Sequence, residues 1–123
     1  MVIGLFSHQN RMAHIAKSFA KEGYATVGFD FRGHGKSQGL SGYIDDYNTL
    51  LNDYILFIKL VDKLYDEKLP RFSISQSMGG MITLLTANKM NNYFRGLIFL
   101  APCFKMHDKL KYPVMGARVK LNY

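Results

Sequence analysis

Apolar residues recur along this chain with two different periods. Met12, Ile15, Ala16 and Phe19 fall at i, i+3, i+4 and i+7, one face of a helix predicted over residues 10–22. Gly23, just past the last turn, suits a left-handed cap. Residues 24–29 form a short apolar run rich in β-formers, predicted to be a buried strand that ends at Asp30. Gly33, Gly35, Gly39 and Gly42 make residues 31–42 a loop. A long helix is predicted over 45–65, where Leu50, Tyr54, Phe57, Ile58, Val61 and Tyr65 keep helical spacing. Asp45 and Asp46 suit its positive end and Lys63 its negative end, and Pro70 blocks continuation. Residues 71–75 are predicted as a strand and 78–90 as a helix with Met78, Met81, Ile82 and Leu85 on one face. A last strand is predicted over 95–101, closed by Pro102, and residues 103–123 are basic and weakly periodic.

Strands alternating with helices predict an α/β fold with a parallel sheet, in a single domain over residues 1–123. With 48% hydrophobic and 20% charged residues, the composition excludes a disordered chain. The lone Cys103 excludes an internal disulfide framework. No apolar run approaches the ~20 residues of a membrane span. Sixteen Lys and Arg against nine Asp and Glu give a net charge of +7, but no three basic residues adjoin, so nucleic-acid binding is not expected. Residues 1–21 contain no acid, as a transit peptide would, but an amphipathic helix explains them better.

Two motifs carry candidate chemistry. Ser75-Gln76-Ser77-Met78-Gly79-Gly80 lies between a predicted strand and a predicted helix, the setting of a nucleophile elbow. Such a turn needs small residues two before and two after the nucleophile, here Ser75 and Gly79. The Met78 N–H, at the start of the helix, is then placed to hold an oxyanion formed when Ser77 attacks a carbonyl. The second motif, Asp30-Phe31-Arg32-Gly33-His34-Gly35-Lys36-Ser37, ends like a phosphate-binding loop. Asp30 stands where that loop needs glycine, and residues 38–42 do not begin a helix, so a braced structural loop with Asp30 paired to Arg32 is expected instead. A single cysteine among scattered histidines has no metal-ligand spacing, no dinucleotide fingerprint is present, and no cofactor is expected.

Taken in order, the Asp30–Ser37 loop, the long helix and Ser75–Gly80 resemble the α/β-hydrolase superfamily. The resemblance is to its monoacylglycerol lipase and serine aminopeptidase S33-like, or lysophospholipase-like, group, and it runs from about residue 2 to 105. It implies that Ser77 is the nucleophile and that residues 3–9 match the group's oxyanion segment. Gly4 and His8 agree with that segment, while Ile3 and Phe6 depart from it. By the same resemblance the Leu5 N–H is the second oxyanion donor beside Met78. A serine nucleophile needs a base, and in this fold the order is Ser, then Asp or Glu, then His. After Ser77 stand only His107 and Asp108, adjacent and in the opposite order.

The expectation is therefore a partial α/β-hydrolase fold lacking early strands, cap and C-terminal strands, marginally stable by itself. Its implied function is hydrolysis of a small lipid ester, a monoacylglycerol or lysophospholipid. The alternatives are a non-catalytic truncated remnant or small binding module of the same fold, and a basic binder of nucleic acid or a membrane surface. A cytoplasmic setting is expected, with transient contact at a membrane surface left open through the basic residues 105–120.

Overall fold

A computed structural model describes residues 1–4 and 7–104. A 3₁₀ turn, Gln9–Met12, leads into helix α1, Ala13–Lys21. The end of α1 is a Schellman closure, in which Gly23 N–H donates to Ala20 O (3.1 Å) and Tyr24 N–H to Phe19 O (3.0 Å). Gly23 takes φ 82°, the left-handed value that glycine alone adopts freely. The Phe19 and Tyr24 rings then meet edge to face at 5.8 Å.

Helix α2, Tyr47–Asp62, starts later than the pattern predicts because Asp46 is its cap: extended at φ −149°, with its carboxylate accepting from Asn48 N–H. Strand β1, Phe72–Gln76, runs into helix α3, Met78–Lys89, and strand β2, Gly96–Leu100, follows. β1 and β2 are parallel, with Phe72 opposite Gly96 and Gln76 opposite Leu100. On the other side of β1, Val2 forms a parallel bridge to Ser75, donating to Ile74 O and accepting from Gln76 N–H, each at 2.9 Å. The chain is thus α/β with a small parallel sheet, and residues 1–4, β1 and β2 lie side by side in that order.

The predicted strand over 24–29 needs correction. This run is in no ladder, and Tyr24 is 56% exposed. It lies beside residues 1–4, held by Met1 N donating to Val27 O (2.6 Å). A neighbouring side chain takes the place of backbone pairing: Gln9 Nε2 donates to both Met1 O and Phe29 O.

The core gathers Val2, Phe31, Ile44, Leu50, Leu51, Tyr54, Ile58 and Ile82. Helices α2 and α3 meet each other, and α3 packs on β1. The β1 side chains on the covered side, Ser73 and Ser75, are fully buried, whereas Phe72 and Ile98 on the opposite side are 54% and 48% exposed. Gly79 lets the first turn of α3 approach closely, since a Cβ there would stand 2.5 Å from Ile3 O and 2.8 Å from Val2 C. Tyr54 OH lies 3.2 Å from Ser73 Oγ and ties α2 to β1. Burial, opposed by that hydrogen bond, holds the Tyr54 phenol above its ordinary range.

Candidate active site

Parallel strands point their carboxyl ends the same way, and ligands of open α/β sheets bind there. At this edge stand Gly4, Ser77 and the segment 101–103 that follows β2. Ser77 is the residue where β1 turns into α3. Its backbone sits at φ 51° and ψ −123°, a conformation that an L-residue keeps only when its surroundings impose it.

Those surroundings are explicit. Ser77 N–H donates to Leu100 O (3.1 Å), and Ser77 O accepts from Gly80 N–H (2.9 Å) and Cys103 N–H (3.0 Å). Ala101, itself at φ 44°, lets the chain double back so that Cys103 reaches Ser77. Pro102 presses on Gly80, where a Cβ would meet the proline ring at 2.8 Å. Two residues before the turn, the fully buried Ser75 donates from Oγ to Ile98 O at 3.4 Å. The small residue before the turn is therefore accommodated as serine, its hydroxyl spent across the sheet.

The Ser77 side chain does not cap α3. Met78 begins that helix, so its N–H belongs to the first turn, where amides have no acceptor within the helix and the dipole is positive. A hydroxyl beside such an amide can attack a carbonyl carbon while the amide holds the developing oxyanion. Gly4 lies directly against Ser77, whose Cβ is 2.8 Å from the position of a Gly4 Cβ. Leu5 falls outside the described residues, as do His107, Asp108 and the basic stretch 105–120.

Among the upstream histidines, His8 and His14 are exposed, and His34 is buried with Nδ1 2.9 Å from Arg32 O. The expected Asp30–Arg32 brace is not formed. Arg32 pairs instead with Asp53 of α2, through two contacts of 2.7 Å. Asp30 braces its loop by accepting from Gln9 N–H (2.8 Å) and Lys36 N–H (3.0 Å), while Ser37 Oγ donates to Asp30 O (2.6 Å). An arginine reaches further than the neighbouring turn, and the carboxylate was taken by backbone amides.

Two clefts lie away from Ser77. One, about 790 Å³, is lined by Asp62, Arg71, Tyr93 and Arg95 near the opposite ends of the strands. There Tyr93 OH donates to Asp62 Oδ1 at 2.6 Å. Partial burial, and then the bond to that carboxylate, push the Tyr93 phenol up to about 12. The other cleft, about 670 Å³, is lined by Phe29, Asp30, Leu56 and Phe57. Among the described residues no group of His, Cys, Asp and Glu is placed to hold a metal ion, and no helix is long and apolar enough to cross a membrane.

The family model described as serine aminopeptidase, S33, matches residues 1–122. A caffeoylshikimate esterase of Arabidopsis thaliana is 36% identical over 101 residues, covering 79% of this chain and 30% of the relative. A monoglyceride lipase of Rattus norvegicus is 29% identical over 99 residues, covering 80% of this chain and 32% of the relative. In structure, the monoacylglycerol lipase of Paleococcus ferrophilus superposes with a TM-score of 0.73 at 23% identity, over 92% of this chain and 40% of that one. The chain spans about a third of the length of these curated relatives.

Proposed function

This chain belongs to the serine aminopeptidase S33 family of α/β-hydrolases, and we propose that it carries the nucleophile of an acyl-ester hydrolase acting on a monoacylglycerol or lysophospholipid. Ser77 is the proposed nucleophile. The observation that carries the proposal is its left-handed turn between β1 and α3, with the side chain uncommitted to capping and Met78 N–H in the first helical turn.

In the proposed reaction, Ser77 Oγ adds to the ester carbonyl carbon as a base takes its proton. Met78 N–H and, by the family resemblance, Leu5 N–H hold the oxyanion. The tetrahedral adduct collapses, and the departing alcohol receives the proton, leaving an acyl-serine. Water then adds to the acyl-serine, and the fatty acid leaves as Ser77 regains its proton. The base and its orienting acid are proposed to come from positions after the serine, as in this fold, and outside the described residues, since residues 78–104 contain no Asp, Glu or His. A substrate with one acyl chain resides at lipid surfaces, so transient contact with such a surface, in a cytoplasmic setting, belongs to the same proposal.

The relatives' names span a caffeoylshikimate esterase and monoglyceride lipases, and ester cleavage is what those names share. The test is turnover by the intact gene product of a monoacylglycerol, a lysophospholipid and a caffeoyl ester side by side. A lipid-ester hydrolase releases fatty acid from the first or second, and loses that activity on Ser77→Ala. Faster cleavage of the caffeoyl ester overturns the lipid assignment. Equal activity of wild type and Ser77→Ala overturns the nucleophile and favours a non-catalytic relative of the fold.

A further inference from the structure

The peptide unit that joins Ser77 to Met78 supplies the proposed oxyanion donor, Met78 N–H. In a planar trans peptide the C=O and N–H point in opposite directions, so whatever fixes the carbonyl also aims the amide. Ser77 O accepts from Gly80 N–H (2.9 Å), within the opening turn of α3, and from Cys103 N–H (3.0 Å). The Cys103 bond comes from outside that helix, from the chain beyond β2.

Delivering that amide takes a reversal of the chain. β2 ends at Leu100, opposite Gln76, and Leu100 O accepts from Ser77 N–H (3.1 Å). Three residues later, Cys103 N–H returns to the carbonyl of the same Ser77. Ala101 makes the return at φ 44°, and the proline after it removes much of its remaining freedom. Pro102 holds its own φ by its ring. That ring meets α3 at Gly80, where a Cβ would stand 2.8 Å from Pro102 Cβ. The reversal is thus wedged against the helical turn whose carbonyl it holds.

Both peptide units of Ser77 are therefore gripped by the segment 100–103, which is how a serine keeps φ 51°. A donor aimed in advance holds an oxyanion without reorganising as the charge develops. Donors on Ser77 O also polarise the peptide and strengthen Met78 N–H as a donor.

We propose that the Cys103 backbone N–H, set by the Ala101–Pro102 reversal, is a positioning group for the Met78 oxyanion donor. It acts through the plane of the Ser77–Met78 peptide, without touching substrate, and the Cys103 thiol takes no part. The inference rests on the assignment of Ser77 as nucleophile.

The test is steady-state hydrolysis of a p-nitrophenyl ester by the intact gene product. Cys103→Ala keeps the N–H and Cys103→Pro removes it, so the pair reads the amide apart from the side chain. Pro102→Gly frees the reversal with the N–H retained, and decides if circular dichroism shows Cys103→Pro unfolded. Positioning predicts kcat for Cys103→Pro on the order of tenfold below Cys103→Ala with KM unchanged, since only the transition state carries the oxyanion. Pro102→Gly is expected to lower kcat severalfold against wild type, again at constant KM. A purely structural role lowers the melting temperature and leaves kcat equal within each comparison, which overturns the inference while Ser77 stands. A loss carried by KM overturns it as well. Wild-type turnover that survives Ser77→Ala overturns the nucleophile, and the role of Cys103 N–H with it.

Discussion

Gly4 and Ser77 are in backbone-level contact: a Cβ on Gly4 would lie 2.8 Å from Ser77 Cβ and 3.3 Å from Ser77 Oγ. Both Cβ atoms are fixed by their backbones, so no change of rotamer relieves the collision. Gly4→Ala must displace either the first segment of the sheet or the turn that carries Ser77. We expect the variant to fold and to lose at least about tenfold in the rate at which a fluorophosphonate modifies Ser77, since sub-ångström placement decides such rates. Rates measured beside melting curves separate displacement from unfolding.

Tyr54 and Ser73 predict a stability effect remote from the site. Their hydroxyls lie 3.2 Å apart, and both residues are buried. Tyr54→Phe strands the Ser73 hydroxyl and is expected to cost about 1–3 kcal/mol in urea unfolding. Adding Ser73→Ala removes the stranded group, and the double variant is expected to recover part of that loss.

Tyr93 predicts a pH dependence. Its phenol, pushed up to about 12 from an ordinary 10, stays protonated in the fold at a pH where the unfolded chain has begun to ionise. The folded state then holds more protons, so this contribution is present in full below pH 10 and is lost as pH rises through 12. Tyr93→Phe is expected to flatten that part of the stability profile. A titration of tyrosinate absorbance in the folded protein should show one fewer late-ionising phenol in the variant, with that of Tyr54 retained.

The exposed side of the sheet predicts association. Phe72 and Ile98 stand 54% and 48% exposed on neighbouring strands. For the 123-residue chain expressed by itself, Ile98→Lys is expected to reduce light scattering while changing unfolding free energy by no more than about 0.5 kcal/mol.

Much of this was legible in the sequence wherever the signal was local. The apolar spacing of α2 and α3, the glycine at the end of α1 and the small residues around Ser77 each act within a few residues of their effect. Partners set by the fold were not legible. Arg32 finds Asp53, 21 residues away, and nothing in the Asp30–Ser37 loop announces it. The run 24–29 has strand composition, but a strand also needs a ladder with a neighbour's backbone, and there a single bond from Met1 N and the side chain of Gln9 supply the link. Gln9 closes the stretch 3–9 that resembles the oxyanion segment, but nothing in that stretch announces its bonds to Met1 and Phe29. Their only sequence trace is Gly28, which leaves room for the side chain. At the candidate site, Ser77 and Met78 followed from the strand–turn–helix pattern. The enforced backbone at Ala101 did not, because it depends on β2 ending beside the turn.

The central claim is that Ser77 is the nucleophile. Its most direct measurement is mass-spectrometric mapping of the intact gene product after treatment with a fluorophosphonate. We predict a single phosphonylated peptide containing Ser77, with fragment ions assigning the adduct to Ser77 rather than Ser75, and no adduct in Ser77→Ala. A folded protein that stays unmodified, or one modified at another serine, contradicts the account.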